Sequence, residues 1–254
     1  MSLPEGHRGF SAALKAARAA GRAPLIGEIK CRSPKEGDLL AGRDPVALAA
    51  TMQSAGAACI SVVTESEHFG GSPELLAAVA AAVSVPVLRK DFITDARGVR
   101  RTRDLGASCM LLMLAVLDWP ELVELHHEAH RLGLETLVEV HDETELRRAL
   151  ALDLDLLGIN NRDIRALETD NGTVANTLRL LRLVPPEVSA ISESAISTAD
   201  EARSVLNAGA LGVLIGTSIL RAPDTASRVA YLSQALPDAL DPIRNPRTIS
   251  DAHH

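Results

Sequence analysis

Apolar runs of five to seven residues alternate with longer alanine-rich stretches along almost the whole chain. The runs at 25–30, 58–63, 85–89, 109–114, 134–140, 154–159, 188–192 and 211–215 are rich in Val, Ile and Leu. They lack clean polar alternation, as expected of strands buried on both faces of a parallel sheet. The intervening stretches read as helices, after a first one at 10–20. Asp44 with Pro45, Ser72 with Pro73, Asp118, Asp142 and Thr198 are the expected helix starts. Gly56, Gly106, Gly133 and Gly209 are the expected stops. The helices expected late in the chain cover 173–183 and 198–208, with a last one ending near 236. Ser54-Ala55-Gly56-Ala57, Asp104-Leu105-Gly106-Ala107 and Asn207-Ala208-Gly209-Ala210 repeat one helix-to-strand junction. Eight such βα units predict an α/β fold, a single (β/α)8 TIM barrel over 1–254. It carries a short N-terminal extension at 1–24 and a polar tail from about 237. The rival, a doubly wound open sheet binding a dinucleotide, wants a GxGxxG after the first strand, and none is there.

Composition narrows the function classes. Apolar residues make up 46% of the 254 positions but aromatic residues only 2%, so the core must be Ala, Leu and Val. The net charge of −7 comes from mixed acidic and basic residues, which gives no footprint for nucleic acid. No apolar run reaches membrane-spanning length and no signal peptide opens the chain, so a cytoplasmic protein is expected. Cys31, Cys59 and Cys109 have no metal-ligand spacing and read as reduced, buried core residues, with no metal site.

The chemistry collects at the strand ends. Glu28 and Lys30 share a face of the first strand, and Ser33-Pro34 turns the chain into a loop. The third strand ends in Lys90, the fifth carries Glu139, and the sixth ends in Asn160 and Arg162. The seventh ends in Glu193 and Ser194, and the eighth in Gly216, Thr217 and Ser218. In a barrel of this kind all of these meet at one mouth, where active sites lie. Lys30 beside Glu28 is expected to stay charged, and burial is expected to raise the Glu139 pKa toward a working acid or base. A mouth lysine serves either as a general acid or as a Schiff-base amine. Arg162 suits a carboxylate or phosphate. Gly216-Thr217-Ser218, opening a helix after the last strand, suits phosphate. Phe69, Phe92 and Leu111 are candidates to line a flat pocket.

The segments GEIKCRSPKEG, VPVLRKDFI, LVEVHDETEL, LGINNRDI, ISESAIS and LIGTSIL resemble, in sequence and order, the signature segments of the indole-3-glycerol phosphate synthase family. The resemblance implies conversion of 1-(2-carboxyphenylamino)-1-deoxyribulose 5-phosphate to indole-3-glycerol phosphate, with loss of carbon dioxide and water and without a cofactor. It implies Lys90 as general acid, Lys30 as holder of the charged ends of the substrate, and Glu28 as the group orienting Lys30. Glu139 would assist dehydration, and Asn160 and Glu193 would position these groups and the sugar. Arg162 and Ser33 would lie near the carboxylate. Ser194, Ala195, Gly216 and Thr217 would take the phosphate, and Phe69, Phe92 and Leu111 would sandwich the ring. The expected partner is a small phosphorylated substrate, without nucleic acid or membrane, on a monomer or weak homo-oligomer. The chain departs from the family pattern at Lys35, where a serine is usual, and at Ala195, where glycine is usual. It departs again at Asp95-Ala96-Arg97-Gly98 and in its short N-terminal region. Three other readings stay open: a homologue acting on a modified anthranilate adduct, a phosphosugar isomerase or aldolase on the same barrel, and a non-catalytic homologue retained as a binding partner.

Overall fold

The computed structural model describes residues 9–235. The polar tail expected from about 237 lies outside the described residues, as do residues 1–8 of the extension. Eight parallel strands close into a barrel in chain order. They are β1 (Leu25–Ile29), β2 (Cys59–Val63), β3 (Val87–Lys90), β4 (Cys109–Met113), β5 (Glu135–Val140), β6 (Leu156–Asn160), β7 (Ala190–Glu193) and β8 (Gly212–Ile215). The helices are α1 (Phe10–Ala19), α2 (Pro45–Ser54), α3 (Pro73–Ala82), α4 (Ala96–Asp104), α5 (Trp119–Arg131), α6 (Glu143–Ala149), α7 (Ala175–Leu180), α8 (Ala199–Asn207), α9 (Thr217–Leu220) and α10 (Thr225–Ser233). The expected caps form: Asp44, Ser72, Asp118, Asp142 and Thr198 each accept a backbone N–H from the first turn. Each such cap is worth about 1 kcal/mol. Among the described residues, no helix is long and apolar enough to cross a membrane.

Alternation along the strands divides the core in two. Ile26, Cys59, Leu88, Leu111, Leu137, Ile191 and Leu214 fill the barrel interior. Leu25, Ile60, Met110, Val138, Ile159 and Val213 face the helices. Phe10 and Leu14 of α1 join the interior cluster. Ser11 N–H donates to Glu135 Oε2 (2.8 Å) at the start of β5, and Arg18 donates to Ala210 O (2.8 Å) just before β8. The N-terminal helix therefore plugs the end of the barrel opposite the strand C-termini and leaves the mouth uncovered by this segment.

Three local details differ from the sequence reading. The helix expected at 173–183 is α7 followed by a tight 3-10 turn, Leu181–Leu183. β7 starts at Ala190 because Val188 N–H folds back onto Pro185 O (3.1 Å). The loop after β1 contains a small antiparallel ribbon, Arg32–Ser33 with Gly37–Asp38. Cys59 and Cys109 are buried and free, whereas Cys31 is partly exposed rather than buried.

Candidate active site

The inward positions at the strand C-termini carry charge instead of hydrocarbon. Lys90 Nζ lies 2.9 Å from Glu193 Oε2, 3.6 Å from Glu28 Oε2 and 3.9 Å from Glu139 Oε2. Lys30 Nζ lies 3.5 Å from Glu28 Oε1 and 3.2 Å from Glu168 Oε2. Glu28 thus bridges the two ammoniums. Asp91, adjacent to Lys90, points the other way and pairs with Arg89. Two glycines make room for the carboxylates. A Cβ on Gly158 would meet Glu193 Oε1 at 2.1 Å, and one on Gly216 would meet Glu28 Oε1 at 2.6 Å.

This cluster sets four buried carboxylates against the buried Lys30 ammonium and the Lys90 side chain, which keeps 12% exposure. Burial alone would lower the Lys90 pKa, but Glu193, Glu28 and Glu139 overcome it and hold the ammonium well above its ordinary value. Lys30 is likewise raised, burial being outweighed by Glu168 and Glu28. Burial, and then the Glu193 charge, push Glu139 up to about 7, against the pull of Lys90 and His141. Burial also raises Glu193 despite Lys90. Glu168 goes the other way: although buried, it is held far below the carboxylate range by Lys30 and Lys90. Both Glu139 oxygens, Glu28 Oε2, Glu193 Oε1 and Arg162 Nε are buried without a hydrogen-bond partner among the described residues. Such atoms cost about 1–3 kcal/mol each when left unmatched. Their concentration at one mouth fits a ligand that supplies donors and acceptors.

Two cavities meet at this cluster. The first, about 380 Å³, is lined by Lys90, Lys30 and Glu139 together with Phe69, Phe92 and Leu111. Met113 and Ile164 add apolar wall, and the Lys30 ammonium stands 5.6 Å from the Phe69 ring centre. The second, about 950 Å³, is lined by Arg162, Ser194, Ala195, Gly216 and Thr217, with Lys35 also in its wall. Glu28, Lys30 and Glu168 line both. Asn160 lines the first cavity, and its Nδ2 donates to Glu168 Oε1 (3.4 Å). Ser33 is not brought to either wall. It sits buried in the ribbon after β1, where its hydroxyl accepts Glu36 N–H at 3.4 Å. Arg162 lines only the second cavity.

Glu168 and His141 escape the sequence reading. Glu168 lies in the irregular stretch between β6 and α7, where Leu167 and Glu168 both take left-handed backbone (φ 51° and 56°). That turn drives the side chain inward, where Ser194 Oγ also donates to it (3.0 Å). No hydrophobic period marks such a position.

Ser194 and Ala195 form a second left-handed pair (φ 62° and 55°) on the wall of the larger cavity. Left-handed backbone costs a non-glycine residue about 1–2 kcal/mol. Glycine removes that strain but adds about 0.4–1 kcal/mol of unfolded-chain entropy. Ala195→Gly is therefore expected to stabilise the protein by up to about 1 kcal/mol. That raises the thermal midpoint by about 2–4 °C in a chain of this size, read by calorimetry. A lowered midpoint would show that the methyl group contributes packing that outweighs the strain.

Comparison with known proteins follows the same line. A family model described as Indole-3-glycerol phosphate synthase matches residues 1–232. The indole-3-glycerol phosphate synthase of Burkholderia ambifaria (strain MC40-6) is 41% identical over 225 residues, which is 89% of this chain and 85% of the relative. That of Hyphomonas neptunium is 42% identical over 214 residues, 84% of this chain and 80% of the relative.

Proposed function

The chain belongs to the indole-3-glycerol phosphate synthase family and is a carbon–carbon lyase; we propose that its barrel mouth closes the indole ring by general acid–base catalysis centred on Lys90. The substrate is 1-(2-carboxyphenylamino)-1-deoxyribulose 5-phosphate. Its aromatic ring fits the smaller cavity, between Phe69, Phe92 and Leu111. Its phosphate fits the larger cavity, beside Arg162, Ser194, Ala195, Gly216 and Thr217. Lys30 lines both and suits the substrate carboxylate.

The ring carbon bearing the carboxylate attacks the ketose carbonyl carbon. The carbonyl electron pair moves to oxygen, which takes a proton from the Lys90 ammonium. The carboxylate leaves as carbon dioxide, and its bonding electrons restore the aromatic ring. The new hydroxyl leaves as water with a proton from the Glu139 carboxyl, whose pKa of about 7 suits it to that step. The proton lost from the carbon beside nitrogen returns to the Lys90 amine. Glu28 and Glu193 hold Lys90 in line, and Asn160 steadies the far side of the cluster through Glu168.

The observation that carries this reading is the Lys90 ammonium, paired with Glu193 and close to Glu28 and Glu139, in the wall of a pocket that Phe69, Phe92 and Leu111 also line. Its raised pKa favours a proton donor over the free amine that Schiff-base aldol chemistry needs. We further assign the protein to the cytoplasm, working as a monomer or weak homo-oligomer on this one small molecule. The test is indole fluorescence on adding the substrate. Growth of the signal is expected, without covalent trapping by borohydride. No signal, or trapping at Lys90, would overturn the assignment.

A further inference from the structure

Glu139 does its proposed work only if it is protonated when the hydroxyl leaves, so whatever sets its charge sets the pH range of the reaction. The inference here rests on that reading of Glu139. Two residues along the chain, in the bend just past the end of β5, stands His141. Its Nε2 approaches Glu139 Oε1 to 3.4 Å, and neither atom has a hydrogen-bond partner among the described residues. The other side of the imidazole is gripped. Nδ1 lies 3.1 Å from Glu145 Oε2, and the His141 backbone N–H donates to the same oxygen (2.7 Å). Glu145 is held in turn by the Arg165 guanidinium on its Oε1. Asn176 Nδ2 donates to His141 O (3.0 Å), fixing the backbone that carries the ring. The order carboxylate, imidazole, working group is that of a base oriented by a third residue.

We infer that His141 is a positioning residue for Glu139: an imidazolium, oriented by Glu145, that sets the pH at which Glu139 changes charge. The groups facing Glu139 are Lys90 from β3, Glu193 from β7, Glu168 from the stretch after β6, and His141 itself. Those facing His141 are Glu139, Glu145 from α6 and Arg165 from the turn after β6. Burial and Arg165 disfavour the imidazolium, but Glu145 and Glu139 outweigh them, so its pKa is raised. A third cation at a mouth with four carboxylates and two ammoniums brings the charges closer to balance.

The test titrates the Glu139 carboxyl by 13C NMR in the full chain carrying labelled glutamate, with Glu139→Gln to assign the signal. In His141→Gln the midpoint is expected to rise by about one pH unit, a tenfold change in proton affinity, because a neighbouring positive charge is lost. Glu145→Gln is expected to shift it the same way by less, and it replaces His141→Gln should that variant not fold. In turnover, the alkaline limb of kcat should move up with the carboxyl midpoint. An unmoved midpoint, or a fall in kcat by one factor at every pH, would overturn the inference. A shifted midpoint in a protein that makes no indole-3-glycerol phosphate would leave the inference standing and sink the assigned reaction instead.

Discussion

Lys90→Met is expected to lower kcat/KM by about a thousandfold or more, while the protein still folds below pH 6. Loss of a general acid typically costs 10²–10⁴-fold, and the developing alkoxide also loses its nearest positive charge. Methionine keeps much of the side-chain volume, so the ring pocket keeps its shape. The second effect is on stability. Lys90 is the cation that Glu28, Glu139 and Glu193 share. Removing one partner from a buried ion cluster typically costs about 3–5 kcal/mol. The sign with pH follows from the carboxylates. Glu139 and Glu193 already have folded pKa values raised above the ordinary range. Groups of that kind favour the folded state below their unfolded pKa, and that contribution is lost as pH rises through the folded value. Without Lys90 both values rise further. The gap in thermal midpoint between parent and variant should therefore widen from pH 5 to pH 8. Steady-state kinetics and thermal melts at both pH values check the two parts. Turnover within tenfold of the parent would remove Lys90 from the acid role, and a gap independent of pH would contradict the charge account.

The barrel and much of its mouth were readable in the sequence because strands obey a two-residue period. Once residues 25–30 are a strand buried on both faces, Glu28 and Lys30 must share the inner face with Ile26, and they do. The same step places Lys90 inward and Arg89 outward, where Arg89 donates to Thr64 Oγ1 and Thr102 Oγ1. Helix caps were equally legible, since Asp44, Asp118 and Asp142 act on their own first turns. What was not legible depends on long-range or irregular backbone. Ser33 shares the mouth-side segment with Lys30, yet the ribbon after β1 buries it away from both cavities. Arg162 looked equally suited to carboxylate or phosphate, and only the course of the stretch after β6 assigns it to the larger cavity. The plug role of α1 depends on which end of the barrel Phe10 and Leu14 reach, a tertiary fact that amphipathicity alone does not contain.

Glu168 is the clearest residue of that second kind, and its replacement should have the next largest effect. It accepts from Lys30, Asn160 and Ser194, so it ties the ring-cavity side of the mouth to the wall of the larger cavity. Glu168→Gln keeps the shape but offers one acceptor oxygen where two were used. Either the amide nitrogen faces the Lys30 ammonium, or it faces the Ser194 and Asn160 donors. In both arrangements Lys30 or Ser194 moves. Misplacement of a substrate-binding group by about 1 Å can cost about a hundredfold. We therefore expect kcat/KM to fall by about ten- to a hundredfold, with Lys90 chemistry otherwise intact. The stability effect carries its own sign. The folded pKa of Glu168 lies far below the ordinary carboxylate value. Its contribution is therefore present above the unfolded pKa and is lost as pH falls toward the folded one. The deficit of Glu168→Gln should be full at pH 7 and shrink below about pH 4.5, the reverse of the trend for Lys90→Met. Opposite pH slopes from two neighbouring variants would follow from one charge arrangement, in which Lys30 and Lys90 hold Glu168 low while burial holds Glu139 and Glu193 high despite Lys90. Parallel slopes would mean that Glu168 is not the main partner of Lys30 in solution.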